Sequence, residues 1–143
     1  MSAALGASVA LVFLWLGMVL AISFLEAPLK FTAPGITLPL GLGIGRLVFR
    51  ALNAAESVLA ATVVILAVLA DDWPRAATWA LLVAIAALAC QLVGVRPALA
   101  RRTDAVLADP ANVPTQRSTA HLFYVALELV KVAGLLSAGI LLL

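Results

Sequence analysis

Long apolar stretches alternating with short polar ones set the pattern of this chain. Crossing a hydrocarbon core of about 30 Å takes roughly 20 helical residues at 1.5 Å rise each. Four stretches are long enough: Met1 to Leu25 has no charged side chain, Ala51 to Ala70 only Glu56, Ala76 to Val95 none, and Ser118 to Leu143 only Glu128 and Lys131. The pattern predicts an all-α integral membrane fold, a bundle of four transmembrane helices at about 3–25, 46–70, 76–95 and 118–142 in a single domain 1–143. A membrane barrel would show alternating segments of about ten residues, and none is visible. Ala21-Ile22-Ser23 offers a small-x-small cleavage pattern. With no basic n-region and an apolar stretch longer than a signal peptide's, the first span is expected to be retained.

The loops are read from their turn residues. In FTAPGITLPLGLGIG, prolines and glycines punctuate an apolar background, so no regular helix is expected before about Gly45 and loop 26–45 is placed at the interface. Asp71 to Arg75 predicts a tight turn, with Asp71 or Asp72 as a helix cap, Pro74 in the first turn, and spans two and three as a helical hairpin. Loop 96–117 is polar, with room for a short surface helix. Lys30, Arg46, Arg50, Arg96, Arg101, Arg102 and Arg117 flank the first and third loops, against Arg75 alone on the other side. By the positive-inside rule those loops face the cytoplasm and both termini lie on the far side, as expected in a bacterial inner membrane. The basic edge would also attract anionic lipid headgroups.

Composition changes the picture by exclusion. Of 143 residues 65% are apolar and 11% charged, with a mean hydropathy of +1.18, too apolar for a water-soluble core of this length. A soluble enzyme and a disulfide scaffold are excluded. A net charge of +2 without a dense basic patch gives no nucleic-acid binder. Cys90 is the sole cysteine, so no intrachain disulfide can form.

Charges inside a membrane cost roughly 2.5–3.5 kcal/mol each on insertion scales, so each asks for a partner or a purpose. Glu26 and Lys30 are four residues apart and are expected to form an interfacial ion pair, despite Pro28 between them. On span two, Arg46, Arg50, Asn53 and Glu56 share an arc of about 120° at 100° per residue. On span four, His121, Tyr124, Glu128 and Lys131 fall within about 80°. Glu56 and Glu128 are each roughly ten residues in, about 15 Å deep. Gln91 on span three adds an amide in the same half. Since carboxylates facing lipid would be unsatisfied, the stripes are expected to face one shared polar cavity lined by Arg50, Asn53, Glu56, Gln91, His121, Tyr124, Glu128 and Lys131.

Two meanings of that cavity compete. Buried ionic groups can serve as polar glue that fixes helix register. Carboxylates with a histidine and a lysine also supply what a proton relay or ligand pocket requires. Glu56, His121 and Glu128 are conceivable metal ligands, but the Glu-x-x-His spacing of di-iron bundles is absent and Lys131 would compete with a cation. A lone histidine without C-x-x-C-H gives no haem site, and GLGIG does not follow a strand as a dinucleotide loop would. No cofactor is assigned.

Pro28 and Phe31 after the first span, GIGRLVFR from Gly43 to Arg50, Val95-Arg96-Pro97 ending the third span and His121 opening the fourth resemble the small four-helix membrane family typified by eukaryotic transmembrane protein 205. The resemblance implies the four-span architecture and no particular activity. Three functions remain in view: a proton-linked transporter or permeation protein using Glu56 and Glu128, a structural or accessory subunit of a larger membrane complex, and a lipid- or quinone-acting membrane enzyme using Glu128 and His121. The expected partners are membrane lipids and either further copies of this chain in a homo-oligomer or other membrane subunits. Gly6, Gly17 and Gly134 provide close-packing surfaces for them.

Overall fold

The structure, a computed structural model, describes residues 1–112 and 119–143. Arg117 and Ser118, counted above in the basic edge and in span four, lie outside the described residues. Every element described is helical, and four helices are long and apolar enough to cross a membrane: α1 (Ala3–Thr32), α2 (Leu38–Leu69), α3 (Arg75–Ala108) and α4 (Thr119–Leu142). Ser2 meets Asp72, and Arg46 meets Asp104, so the helices run alternately up and down. The end that carries Lys30, Arg46 and Arg96 is called the basic end below.

Three helices outrun the spans read from the sequence. At 32 residues α2 is about 48 Å long, well beyond a hydrocarbon core of about 30 Å. It starts at Leu38 rather than near Gly45, because the Thr37 hydroxyl accepts from the Leu40 amide and Pro39 sits in the first turn, where no amide is missed. The glycines are accommodated inside it: Gly41 and Gly45 present bare backbone to the Phe31 ring and the Lys30 side chain, which fold back from the end of α1. The true turn is upstream, where the Ile36 amide donates to the Ala33 carbonyl around Pro34 and Gly35, with Gly35 at φ 81°. That geometry is a type II turn, which favours glycine at its third position.

α1 and α3 continue past their expected ends by the same device. Each widens into a π-helical stretch, Leu20–Glu26 in α1 and Gln91–Val95 in α3, shortly before a proline, Pro28 or Pro97. Proline leaves a carbonyl of the preceding turn without its amide, and a wide turn lets the helix run on through the defect. The segment after Val95, expected to be a loop with a short surface helix, is therefore the last part of α3.

The packing order differs from the sequence order. α4 lies most closely on α3, α1 packs on both α2 and α4, and the expected hairpin partners α2 and α3 meet mainly at the basic end, through the last part of α3, rather than along their apolar spans. The α3–α4 seam closes at Gly134, whose missing Cβ would stand 3.0 Å from the Ala80 carbonyl oxygen and 3.3 Å from the Ala84 Cβ. Gly134→Ala is expected to cost about 1–3 kcal/mol by overpacking against backbone that cannot give. Gly17→Ala, with nothing within 4 Å, should not destabilise. Thermal melts of the two variants in the same detergent check the contrast.

The core beyond Glu56 is apolar, built from Val12, Val63, Leu81, Leu135 and Ala138. At the opposite end from the basic one, Asp72 caps nothing on α3. Its carboxylate instead accepts from the Ser2 amide (3.2 Å) and hydroxyl (2.8 Å). These bonds hold the Asp72 carboxyl below the usual aspartate range. A folded-state value below the unfolded one gives stability that is present above the unfolded value, near pH 4, and lost as pH falls through the folded one. Below about pH 4 the start of α1 is expected to fray. Ser2→Ala should do the same at neutral pH, and hydrogen exchange at the Leu5 and Gly6 amides reads both without a global change.

Candidate functional site

Because α2 and α4 scarcely touch, a half-open cavity of about 1040 Å³ remains between them in the basic half of the bundle. The extended end of α1 and the last part of α3 complete its walls. Of the residues expected to share a cavity, Arg50, Asn53, His121, Tyr124 and Glu128 line it. Glu56, Lys131 and Gln91 are fully buried and lie behind this lining. Glu128 joins the two groups, since it faces the cavity and also the buried cluster.

That cluster is one lysine between two carboxylates. Lys131 Nζ lies 2.7 Å from Glu56 Oε1, as a hydrogen bond, and 2.7 Å from Glu128 Oε1, as an ionic contact without hydrogen-bond angles. Lys131 and Glu128 reach each other across one helical turn at i, i+3, while Glu56 arrives from α2. Lys131 is completely buried, and so are both partners to within 1%. In so dry a setting a lone charge would cost several kcal/mol, so the three groups depend on one another.

Two residues from the charge-free stretch of α1 before Glu26 complete the cluster. Trp15 is fully buried and donates from Nε1 to Glu56 Oε1 at 2.9 Å. Ser23, carried on the wide turn of α1, donates to Glu128 Oε2 at 2.7 Å. Neither was among the residues expected in the site. A tryptophan in a transmembrane core needs a partner for its indole N–H, and this was the available signal for Trp15. Ser23 had none, because its position depends on the wide turn. Gln91, on the wide turn of α3, donates to the Tyr124 carbonyl at 3.4 Å. Both deviations from regular helix thus deliver a polar side chain toward α4, in keeping with the tendency of π-bulges to sit at functional positions.

The mouth of the cavity is aromatic and cationic. The Phe49 and Tyr124 rings meet edge to face at 5.5 Å, and the Arg96 guanidinium lies 5.0 Å from the first and 5.6 Å from the second. Lys30 lies 5.9 Å from Phe49 and pairs with Glu26 at 3.7 Å, one turn away despite Pro28. Arg46 pairs with Asp104 and donates to the Ala100 carbonyl at 3.1 Å, tying α2 to the end of α3. Arg96 was read only as part of the basic edge, and the aromatic contact that brings it into the site is a tertiary effect. Among the described residues no three His, Cys, Asp or Glu side chains converge as a metal site, so Glu56, His121 and Glu128 are not gathered around a common point.

Compared with family models, curated proteins and solved structures, the chain matches none. The geometry of the site therefore carries the functional argument alone.

Proposed function

We propose that the chain is a small membrane transport or permeation protein whose flux is linked to protons through Glu128 and Glu56. The observation that supports this reading best is the double position of Glu128, which lines the cavity and is bound to the lysine that holds Glu56. Charged groups around Glu128 come from every neighbouring helix: Lys131 on its own, Glu56 on α2 and Arg96 on α3, with the Ser23 hydroxyl on α1. Protonating Glu128 from the cavity would release Lys131 to Glu56 alone, and deprotonation would draw it back. A shift of one lysine between two carboxylates is a two-state element of the kind that gating requires. The apolar core beyond Glu56 closes the path toward the other end, so passage requires a second arrangement of the helices.

The reading includes the finer topology: loops 26–45 and 96–117 on the cytoplasmic face of a bacterial inner membrane, both termini on the far side, and a homo-oligomer as the working unit. Membership of the four-helix family resembled above is part of the same proposal. In liposomes, Glu128→Gln and Glu56→Gln are each expected to reduce pH-dependent flux to background, with elution profile and melting retained as controls for folding. Undiminished flux in both variants would refute the mechanism. The accessory-subunit reading draws on the closeness of the Lys131 contacts to both carboxylates, which suits polar glue. It predicts no flux from the isolated protein and repeated copurification of a larger membrane partner.

A further inference from the structure

The charge around the cavity does not balance. Lys30, Arg46, Arg50 and Arg96 line it; Lys30 is paired with Glu26 outside the lining, and the carboxylates of the lining itself are Asp104 and Glu128. Asp104 is engaged by Arg46, and Glu128 faces Lys131 from behind the lining. Among the described residues Arg50 and Arg96 have no carboxylate in ion-pair contact. Their charges repel, although Arg96 feels the attraction of Glu128 and Glu56 more strongly than the repulsion of Arg50. Two like charges beside a half-buried wall are relieved by an anion between them.

Four further observations define that anion. The Arg96 guanidinium lies 5.0 Å from the Phe49 ring centre and 5.6 Å from that of Tyr124, with no carboxylate among the described residues hydrogen-bonded to it. An aromatic contact uses none of the guanidinium's N–H donors on an acceptor oxygen, which leaves them for an oxyanion. The Tyr124 hydroxyl lies against Glu128, and the Asn53 side-chain oxygen is buried without a hydrogen-bond partner, although Asn53 is more than nine-tenths buried and lines the cavity. Native proteins rarely strand such an oxygen, and a hydroxyl of the ligand or a bound water would satisfy it. Three of the aromatic rings that would attract a cationic ligand, Phe31, Phe49 and Tyr124, already have Lys30 or Arg96 beside them. The rest of the wall is apolar, with Phe24, Leu42 and Leu92 among it.

We infer that the cavity binds an oxyanion carrying an apolar chain, its charged group held by Arg96 and Arg50, and its chain against Phe24, Leu42 and Leu92. This deepens the preceding reading by naming its ligand class, and it rests on that reading for the cavity being a ligand site. Phosphatidylglycerol from the bilayer and free phosphate from water share the oxyanion chemistry, and the apolar wall selects the first.

The test is native mass spectrometry of the full chain, delipidated in detergent and titrated separately with phosphatidylglycerol, phosphatidylcholine and inorganic phosphate. One phosphatidylglycerol per chain is expected to bind, about tenfold more weakly in Arg96→Gln, as loss of a charge-assisted contact implies. Arg50→Gln, on an exposed side chain that no fold contact requires, should also weaken it, so a folding defect in the first variant does not decide the outcome. Arg101→Gln removes an equal charge from the same helix outside the cavity and should leave binding unchanged. Equal losses in Arg101→Gln and Arg96→Gln would reduce the effect to general surface attraction and overturn the inference, as would equal binding of phosphatidylcholine. Binding of inorganic phosphate as tight as that of the lipid would overturn the apolar half of it. Binding in these spectra without flux in liposomes would refute transport and leave the site standing, and flux without binding would do the reverse.

Discussion

Lys131→Met is expected to abolish the folded protein or lower its melting temperature more than any other single substitution. The side chain is nearly isosteric, so the change removes charge with little change in volume. It leaves Glu56 and Glu128 buried without their shared cation. Breaking a buried pair from one side costs about 3–5 kcal/mol, because the surviving charge has no solvent and no partner. Here two carboxylates are stranded, and they also repel each other, so at least one must take up a proton for the bundle to close. Adding Glu56→Gln and Glu128→Gln to the same chain should restore much of the loss, since a neutral cluster can be as stable as the ionic one it replaces. Thermal melts of the single and triple variants in one detergent check this. A single variant that melts with the wild type would show that the three charges are not coupled.

The second large effect is expected at Trp15. Trp15→Ala removes a fully buried ring from the centre of α1 and should cost about 3–5 kcal/mol through lost contacts and the space left behind. Trp15→Phe keeps most of the ring and removes the Nε1 donor to Glu56 Oε1. Loss of that bond is expected to cost about 1–3 kcal/mol, the usual penalty for an acceptor left short of a donor in the interior. If the indole only filled space, Trp15→Phe would melt close to wild type. If it also holds Glu56 in place, Trp15→Phe should weaken pH-dependent flux beyond what its melting shift explains.

The polar stripes show how far periodicity reaches. Glu128 and Lys131 are three apart on one helix, so their contact follows from helical geometry. Glu56 comes from another helix, and its arrival on Lys131 was expected only from the need to shelter charge at equal depth. That argument could not separate the face that lines a cavity from the face that lies behind it, so Glu128 and Glu56 looked equivalent. Gln91 illustrates the same limit, since its depth was legible but its burial behind Tyr124 depends on a wide turn.

The sequence by itself determined that four helices are long and apolar enough to span a membrane, that one end is basic and that charge recurs at helical spacing inside, because these follow from hydropathy and from the 3.6-residue period. Only the tertiary structure decided that α1 bridges α2 and α4, that the gap thus left is a cavity, and that Trp15, Ser23 and Arg96 belong to the site. Those outcomes depend on helix rotation, on two wide turns beside prolines and on packing against glycine, and each is fixed by contacts between residues far apart in the chain.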